Sequence, residues 1–258
     1  MIAISIKIKW LKMDLNEILP KLGTEEIMIK IGELYGERAV FTTSLSAEDM
    51  VILDLIIKNG IHLEIATIDT GRLPQETYNL MDKVKNEMGV DLKVYFPDST
   101  EVQNMVNERG VNLFYSSTEN RHLCCNIRKV HPLGEILKGK SVWITGIRSE
   151  QTEAREKSGK VEFDPMRKIW KINPILDWTR MDVWNYINEN GIPYNKLYDM
   201  NYKSIGCDPC TRSVGKNEPE RSGRWWWEDG IKECGIHLPA SEKTSFHYTI
   251  NNRGDSAD

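Results

Sequence analysis

Five cysteines are the residues of this 258-residue chain whose type and spacing best suit chemistry. Cys124 and Cys125 are adjacent, Cys207 and Cys210 form a Cys-x-x-Cys motif, and Cys234 stands alone near the carboxyl end. Four thiolates in two close groups match the count that a metal or iron–sulfur centre needs, because thiolates are soft ligands that prefer zinc or iron. The spacing alone favours structural zinc and a cluster about equally. The fifth thiol is then a nucleophile or an inert buried cysteine.

The elements that must position these cysteines alternate between apolar runs and helical patterns. Four apolar runs are typical of buried strands, and they lie at 38–43, 63–68, 92–96 and 141–145. A helical pattern follows each of the first three runs. The stretch 161–173 predicts a short hairpin, and we interpret the amphipathic segment 178–190, with Met181 among its apolar residues, as core packing. Strands that alternate with helices predict an α/β fold with a doubly wound, mostly parallel sheet.

Three loops follow the predicted strands, at the sheet edge where ligands bind in such folds. The loop 42–49 offers hydroxyls and backbone N–H groups at a helix N-terminus, which is an anion cradle or, taken alone, a plain helix cap. The loops 69–72 and 146–151 bring arginines to the same edge. Neither a Walker A motif nor Gly-x-Gly-x-x-Gly occurs, so the sequence predicts no ordinary kinase-type or dinucleotide site.

Composition narrows the class of partner. The net charge of −4 and the isoelectric point near 5.8 disfavour binding to nucleic acid or to an anionic membrane, but an anionic small molecule remains compatible with local arginines and lysines. No stretch approaches the length of a membrane span. An odd number of cysteines without a recognisable secretory signal favours a reducing, cytoplasmic location.

With these motifs in view, the chain resembles the assimilatory sulfonucleotide reductases, and among them the iron–sulfur adenylyl-sulfate (APS) reductases. The resemblance extends from about 41 to 237, and its specificity comes from the order and joint presence of many motifs. These include Ser44-Leu-Ser-Ala-Glu-Asp49, Ile68-Asp-Thr-Gly-Arg-Leu73, Cys124-Cys-Asn-Ile-Arg-Lys-Val130, Trp143-Ile-Thr-Gly-Ile-Arg148, Ser204-Ile-Gly-Cys-Asp-Pro-Cys-Thr-Arg212, Arg221-Ser-Gly-Arg-Trp-Trp-Trp-Glu228 and Lys232-Glu-Cys-Gly-Ile-His237. The resemblance implies an adenine nucleotide α-hydrolase-like fold.

The resemblance also implies a chemistry. It places a [4Fe–4S] cluster on Cys124, Cys125, Cys207 and Cys210, and it makes Cys234 the nucleophile that attacks the sulfur of APS. Thioredoxin or a similar thiol donor then resolves the S-sulfocysteine and releases sulfite in assimilatory sulfate reduction. The implied substrate-binding residues are Ser44, Ser46, Asp49, Asp69, Thr70, Gly71, Arg72, Lys129, Arg148, Arg155, Arg221, Arg224 and His237. A homo-oligomer is expected on the same ground.

The expected organisation is a nucleotide-binding α/β domain with the cluster site over 1–228 and a mobile C-terminal tail with the nucleophile over 229–258. The three consecutive tryptophans at 225–227 cannot all face one core, so one or two are expected on the surface as a docking patch. Ser46 stands where the phosphate loop of the family commonly has glycine, which puts substrate choice in question. The alternatives are reduction of 3′-phosphoadenylyl sulfate (PAPS), reduction of both APS and PAPS, a cluster-bearing ATP pyrophosphatase, and a non-enzymatic redox sensor.

Overall fold

The structure is a computed structural model, and it describes residues 15–229, 233, 235 and 236. The predicted nucleophile Cys234 and the predicted substrate ligand His237 lie outside the described residues, as does most of the predicted tail. Within the described part of the chain, no helix has the length and apolar character needed to cross a membrane.

Six strands form one sheet, and all but one of the pairings between described neighbours are parallel. The strands are β1 Ala39–Thr43, β2 Glu64–Ile68, β3 Leu92–Tyr95, β4 Val142–Ile144, β5 Val161–Asp164 and β6 Ile169–Ile172. Their order across the sheet is β3-β2-β1-β4-β6-β5. β1 pairs parallel with β2 and β4, and β4 pairs parallel with β6, whereas β5 and β6 form an antiparallel hairpin. The predicted α/β class and the predicted hairpin are confirmed.

Helices connect the strands and continue past them. They are α1 Leu15–Ile18, α2 Thr24–Tyr35, α3 Ala47–Lys58, α4 Gln75–Asn86, α5 Ser99–Arg109, α6 Thr118–Cys125, α7 His131–Leu137, α8 Glu153–Glu156 and α9 Arg180–Asn190. A π-helical turn, Asn126–Val130, joins α6 to α7 without a break. The helical patterns that follow the first three strands are confirmed as α3, α4 and α5.

The described residues form two compact units, the first of which comprises the ranges 15–67, 75–93 and 139–198. Its core is built from the buried faces of β1 and β4, where Phe41 and Ile144 are paired neighbours. Helix α9 buries Val183 and Ile187, so its interpretation as a core helix holds for that face. The prediction that Met181 also packs in the core was wrong, because it is 69 % exposed. Met181 and Val183 are two positions apart on the helix, which corresponds to a rotation of about 200°, so Met181 points away from Val183.

The second unit comprises 68–74, 94–138 and 199–229, together with 233, 235 and 236. Its apolar cluster combines aromatic side chains with the cysteines of both close-spaced groups. Trp225 is fully buried there, whereas Trp226 is 39 % exposed, which confirms that the three tryptophans do not share one core. The predicted boundary between 228 and 229 stays a prediction.

Candidate active site

The strand order reverses beside β1, whose neighbours are β2 on one side and β4 on the other. In open α/β sheets, ligands bind beyond the carboxyl ends of the strands at such a reversal. The loop after β1 begins at Ser44, and the loop after β4 runs through Arg148. Between Ser44 and Ser46, Leu45 has a φ of 57°, a left-handed conformation that a branched, buried side chain adopts only under constraint. The backbone at Leu45 is therefore strained, and this strained conformation sets the shape of the loop.

Asp49 is the buried residue that holds the loop after β1 in shape. Its carboxylate accepts hydrogen bonds from the backbone N–H and the hydroxyl of Ser44, at 2.6 and 2.9 Å. The Asp49 N–H donates to Oγ of Ser46, the N-cap of α3, over 3.3 Å. Burial raises the pKa of Asp49 to about 6, although the Ser44 hydrogen bonds oppose that shift. Ser44 is the exposed member of this group, so its side chain is the one of the three that is most open to solvent.

Arg148 organises the loop after β4 from inside the protein. The side chain is fully buried, and Nε donates to Glu48 at 2.8 Å while Nη1 donates to Glu150 at 2.8 Å. Gln151 donates to the same Glu48 oxygen over 3.1 Å and accepts a hydrogen bond from Arg155. A buried guanidinium needs such partners, since an uncompensated charge is costly. The network therefore joins α3 to the loop after β4 through charged side chains.

Gly146 lets these two loops meet. A Cβ atom at position 146 would lie 2.2 Å from Oδ1 of Asp49 and 3.2 Å from the Asp49 nitrogen. The second of these atoms is backbone and has little freedom to move. Glycine is thus required at 146 for steric reasons, and the two loops form one interlocked surface within the first unit.

The loop 69–72 belongs to the second unit and forms a tight turn. Its Gly71 has a φ of 69° and donates its N–H to Oδ1 of Asp69 over 2.8 Å. Thr70 lies 3.3 Å from Sγ of Cys207 through its hydroxyl, and its carbonyl accepts a hydrogen bond of 2.6 Å from Arg128. The turn therefore connects directly to both segments that contain close-spaced cysteines.

The four close-spaced cysteines line one cavity of the second unit. Cys124 and Cys125 end α6, and the π turn follows them, a distortion that is frequent at functional sites. Cys207 and Cys210 flank a single 3-10 turn. Four basic residues line the same cavity, and they are Arg72, Arg121, Arg128 and Lys129. Thiols and cations thus converge from segments that are about eighty residues apart in the sequence.

The thiols of this cavity differ in their electrostatic surroundings. Burial raises the pKa of Cys210 to about 12, and the charge of Cys207 adds to that shift. Burial also raises the pKa of Cys124. Burial acts on Cys207 in the same direction, but Lys129, the Thr70 hydrogen bond and further cations outweigh it, so the pKa of Cys207 is lowered. Among these three thiols, the cations therefore outweigh burial only at Cys207, where they favour the thiolate form.

The cysteine cavity offers sulfur ligands, which prefer zinc or iron. Among the described residues, no three histidine, cysteine, aspartate or glutamate side chains are grouped as the ligands of a metal ion. The same cavity has apolar walls, Phe114 and Trp225. All four close-spaced cysteines line it, and cysteine thiolates are ligands of structural zinc as well as of iron–sulfur clusters.

Arg224 is a buried arginine of the second unit. Its Nη1 donates to the Ile205 carbonyl over 3.1 Å, and its guanidinium stacks 4.7 Å from the Trp225 ring. A Cβ at Gly206 would lie 2.3 Å from its Nη2, so glycine at 206 makes room for this guanidinium. The Nε atom is buried and has no hydrogen-bond partner among the described residues.

Arg221 lies close to the segment of the predicted nucleophile. Its Nη2 lies 3.3 Å from Oε2 of Glu233, a buried residue that immediately precedes Cys234 in the sequence. Its Nη1 lies 3.3 Å from Oγ of Ser204. Arg221 therefore links the 204 segment to the residue before the predicted nucleophile.

The structure gathers the predicted substrate-binding residues in two sets. The set in the first unit is Ser44, Ser46, Asp49, Arg148 and Arg155. The set in the second unit is Asp69, Thr70, Gly71, Arg72, Lys129, Arg221 and Arg224. Sequence reasoning missed Arg121 and Arg128, which line the cysteine cavity. Their spacing from the cysteine pair would have indicated a shared helix face, but only if a helix over 118–125 had been predicted.

Comparison with known proteins gives first the fold and then the family. Yeast FAD synthetase, at 13 % identity and a TM-score of 0.52, shares the fold alone. Phosphoadenylyl-sulfate reductase from Candida auris superposes with a TM-score of 0.65 at 30 % identity, covering 78 % of this chain and 94 % of its own. The domain is thus of the adenine nucleotide α-hydrolase-like type.

Sequence relatives are closer. Residues 38–213 match the phosphoadenosine phosphosulfate reductase domain model. Proteins named adenosine 5'-phosphosulfate reductase match at 44 % identity in Rhizobium meliloti, covering 87 % of this chain and 84 % of the relative, and in Neisseria meningitidis serogroup A, covering 83 % and 89 %. The chain belongs to the phosphoadenosine phosphosulfate reductase domain family, the sulfonucleotide reductases. The resemblance read from its motifs is confirmed.

Proposed function

We propose that this chain reduces APS to sulfite and AMP in sulfate assimilation. The thiolate of Cys234 attacks the sulfate sulfur, an S–S bond forms, and AMP leaves with the electron pair of the broken S–O bond. A thiol of thioredoxin or a similar donor attacks Sγ of the S-sulfocysteine, and sulfite leaves with the S–S electron pair. A second donor thiol resolves the mixed disulfide and restores Cys234. The donor supplies two electrons and ends as a disulfide.

One observation carries this proposal: four cysteines and four basic side chains share a cavity in a chain whose relatives are named adenosine 5'-phosphosulfate reductases. The sulfate and phosphate of APS are anionic, so a thiolate can approach the sulfur only where cations offset the repulsion. Lys129, Arg221 and Arg224 are proposed to bind the phosphosulfate. Arg221 pairs with Glu233, the residue before Cys234 in the sequence, and we propose that it also favours the thiolate form of Cys234.

The four cavity cysteines are proposed to hold a [4Fe–4S] cluster. Cys124 and Cys125 would supply one pair of ligands, and Cys207 and Cys210 the other. When bound, the cluster supplies a structural and electrostatic centre that joins the two segments, because thiols provide both electrons of the reaction. The chain itself contributes the Thr70 hydroxyl to Cys207 and the cationic lining that opposes the charge on the thiolates.

The loops at the strand reversal are proposed to bind the nucleotide part of APS. Ser44 and Ser46 lie at the N-terminus of α3, whose partial positive charge favours a phosphate. Arg148 pairs with Glu48 of α3 and with Glu150 of its own loop, and Arg155 donates to the side-chain amide of Gln151. We therefore assign to Arg148 the support of this loop in addition to the substrate contact predicted for it.

Reduction of PAPS is the second candidate function. The observation that favours it is the likeness to the Candida auris phosphoadenylyl-sulfate reductase. PAPS differs from APS by a phosphate on the 3′ oxygen, so the two functions share the attack by Cys234 and differ in the ribose pocket. The relatives named adenosine 5'-phosphosulfate reductase cover more of the chain at higher identity, which ranks APS first.

The test is a single-turnover experiment without any thiol. Anaerobically purified, iron-loaded protein is incubated with APS and separately with PAPS, and peptide masses are measured. Gain of one SO₃ on the Cys234 peptide with APS is expected. Gain with PAPS alone would keep the mechanism and change the substrate, and no adduct with either nucleotide would refute the reductase assignment.

Cys234→Ser is the matched variant for this experiment. It is expected to form no adduct and no sulfite while it keeps the iron content and the AMP affinity of the wild type. Loss of iron in Cys234→Ser would show that the ligand set was assigned wrongly. Adding reduced thioredoxin to the wild-type adduct should release sulfite, which tests the proposed donor, and a requirement for a reduced thiol donor fits the cytoplasm.

A further inference from the structure

Every guanidinium nitrogen of the buried Arg121 has a polar partner. Nε donates to the two carboxylate oxygens of Glu228 at 2.9 and 2.8 Å, and Nη1 donates to the main-chain carbonyl of Glu233 over 2.9 Å. Nη2 lies 2.9 Å from the ring nitrogen Nε2 of His122, and the guanidinium lies 4.6 Å from the centre of the Trp225 ring. The side chain is 1 % exposed. One buried cation thus gathers three separate pieces of chain.

The positions of Arg121 and Glu233 in the sequence relate these contacts to the cysteines. Arg121 lies on α6, one helical turn before Cys124 and Cys125, and Glu233 directly precedes Cys234. Beyond that position, Ile236 packs against the apolar cluster that contains the cavity cysteines. The described residues on both sides of position 234 therefore lie against the cysteine-bearing part of the second unit.

We infer that Arg121 is a positioning residue for the proposed nucleophile: it fastens the backbone immediately before Cys234 to the helix that carries Cys124 and Cys125. The inference rests on the proposed function, because it concerns the cysteine to which that function gives the attack. The decisive contact is with a carbonyl, so it fixes the path of the main chain whatever side chain stands at 233.

We call the contact between the Arg121 guanidinium and the Glu233 carbonyl the latch, because a buried guanidinium strongly favours keeping its acceptor. Glu228, whose side chain is 9 % exposed, neutralises the charge and holds the guanidinium in one orientation. Nη1 then points at the Glu233 carbonyl. If the segment moved away, a buried donor would lose its acceptor, which is costly where water is excluded.

The test measures the reactivity of Cys234 in the full-length, iron-loaded protein without nucleotide. Iodoacetamide is added anaerobically, and the alkylation rate of the Cys234 peptide is followed by mass. The double variant Arg121→Met/Glu228→Gln removes both charges together, so that neither is left buried alone. Arg121→Lys keeps a charge for Glu228 but lacks the fork that also reaches Glu233. The matched control is Arg109→Gln, because Arg109 is an exposed arginine of α5 that donates to Asn120, the residue before Arg121 on α6.

We expect alkylation at least about tenfold faster in the double variant, an intermediate rate in Arg121→Lys and no change in Arg109→Gln. Formation of the SO₃ adduct at saturating APS should slow by a similar factor, while iron content and AMP affinity stay at the wild-type level. A purely structural role would change iron content or AMP affinity together with the rate.

Equal alkylation rates in wild type and in either Arg121 variant would overturn the inference. If the double variant loses its iron, Arg121→Lys decides the question, because it retains the charge beside Glu228. Faster alkylation in a protein that forms no adduct with APS or PAPS would support the latch and refute the proposed function. The two failures are therefore distinguishable.

Discussion

Replacing Asp49 by asparagine should change how stability depends on pH. The carboxyl is buried in the loop after β1, and burial raises its pKa to about 6 from 3.8. Asparagine has the same shape and keeps an oxygen that can accept from the N–H of Ser44. The variant therefore removes the titration and preserves the loop as far as one substitution allows.

The magnitude follows from the two pKa values. Between pH 3.8 and pH 6 the native state keeps a proton that the unfolded chain has lost, so stability falls as pH rises through this window. At 1.36 kcal/mol for each pKa unit, ionised Asp49 lowers the free energy of unfolding by about 3 kcal/mol above pH 7. About 1.4 kcal/mol of this loss falls between pH 5 and pH 8. The Asp49→Asn variant does not undergo this loss of stability, because asparagine does not titrate.

The assay is urea unfolding of both proteins at several values between pH 5 and pH 8. The free energy of unfolding of Asp49→Asn minus that of the wild type should rise by about 1.4 kcal/mol across this range. Asp91→Asn, at an exposed carboxyl, is the control and should run parallel to the wild type. A constant difference between Asp49→Asn and the wild type would refute the argument, because it would show that Asp49 is ionised as readily in the native state as in the unfolded chain.

Two further substitutions test the second unit. Gly206→Ala puts a methyl group 2.3 Å from Nη2 of Arg224 and should displace that guanidinium, which lowers APS affinity by about tenfold or more with iron content unchanged. Competition between APS and a labelled nucleotide measures the effect, and wild-type affinity would show that Arg224 does not bind the substrate. Cys210→Ala should lose the iron and its visible absorbance, in contrast to Cys234→Ser. Iron per chain is the measurement, and a full complement in Cys210→Ala would remove Cys210 from the ligand set.

The sheet could be predicted because its strands are short apolar runs between turn signals. β1 and β4 are almost wholly buried, so their composition shows no alternation and fits strands covered on both faces. The sequence predicted a doubly wound, mostly parallel sheet but not the order of its strands, since pairing depends on contacts distant in sequence. Met181 shows the limit of an apolar count, because a helix face is decided by angle as well as by composition.

The candidate site could be predicted as motifs but not as contacts. The sequence placed Arg148 on a strand-end loop, yet nothing in its neighbourhood indicated that Glu48, a hundred positions earlier, pairs with it in the interior. Gly146 and Gly206 gave no signal of their own, because the atoms that exclude a Cβ there come from Asp49 and from Arg224. Steric requirements of this kind depend on the folded backbone.

The helix over 118–137 shows why a functional face can look like a core face. Arg121, Cys124, Cys125, Arg128 and Lys129 follow the spacing i, i+3, i+4, i+7, i+8, which with apolar residues would predict burial against a sheet. Here the same stripe lines the cysteine cavity. The π turn at 126–130 rotates the residues that follow Cys125 relative to an ideal helix, and Arg128 and Lys129 line the cavity in that geometry. This stripe therefore contains the latch residue Arg121, two proposed cluster ligands and two further cations. Any change in the register of the helix would move all of these side chains together.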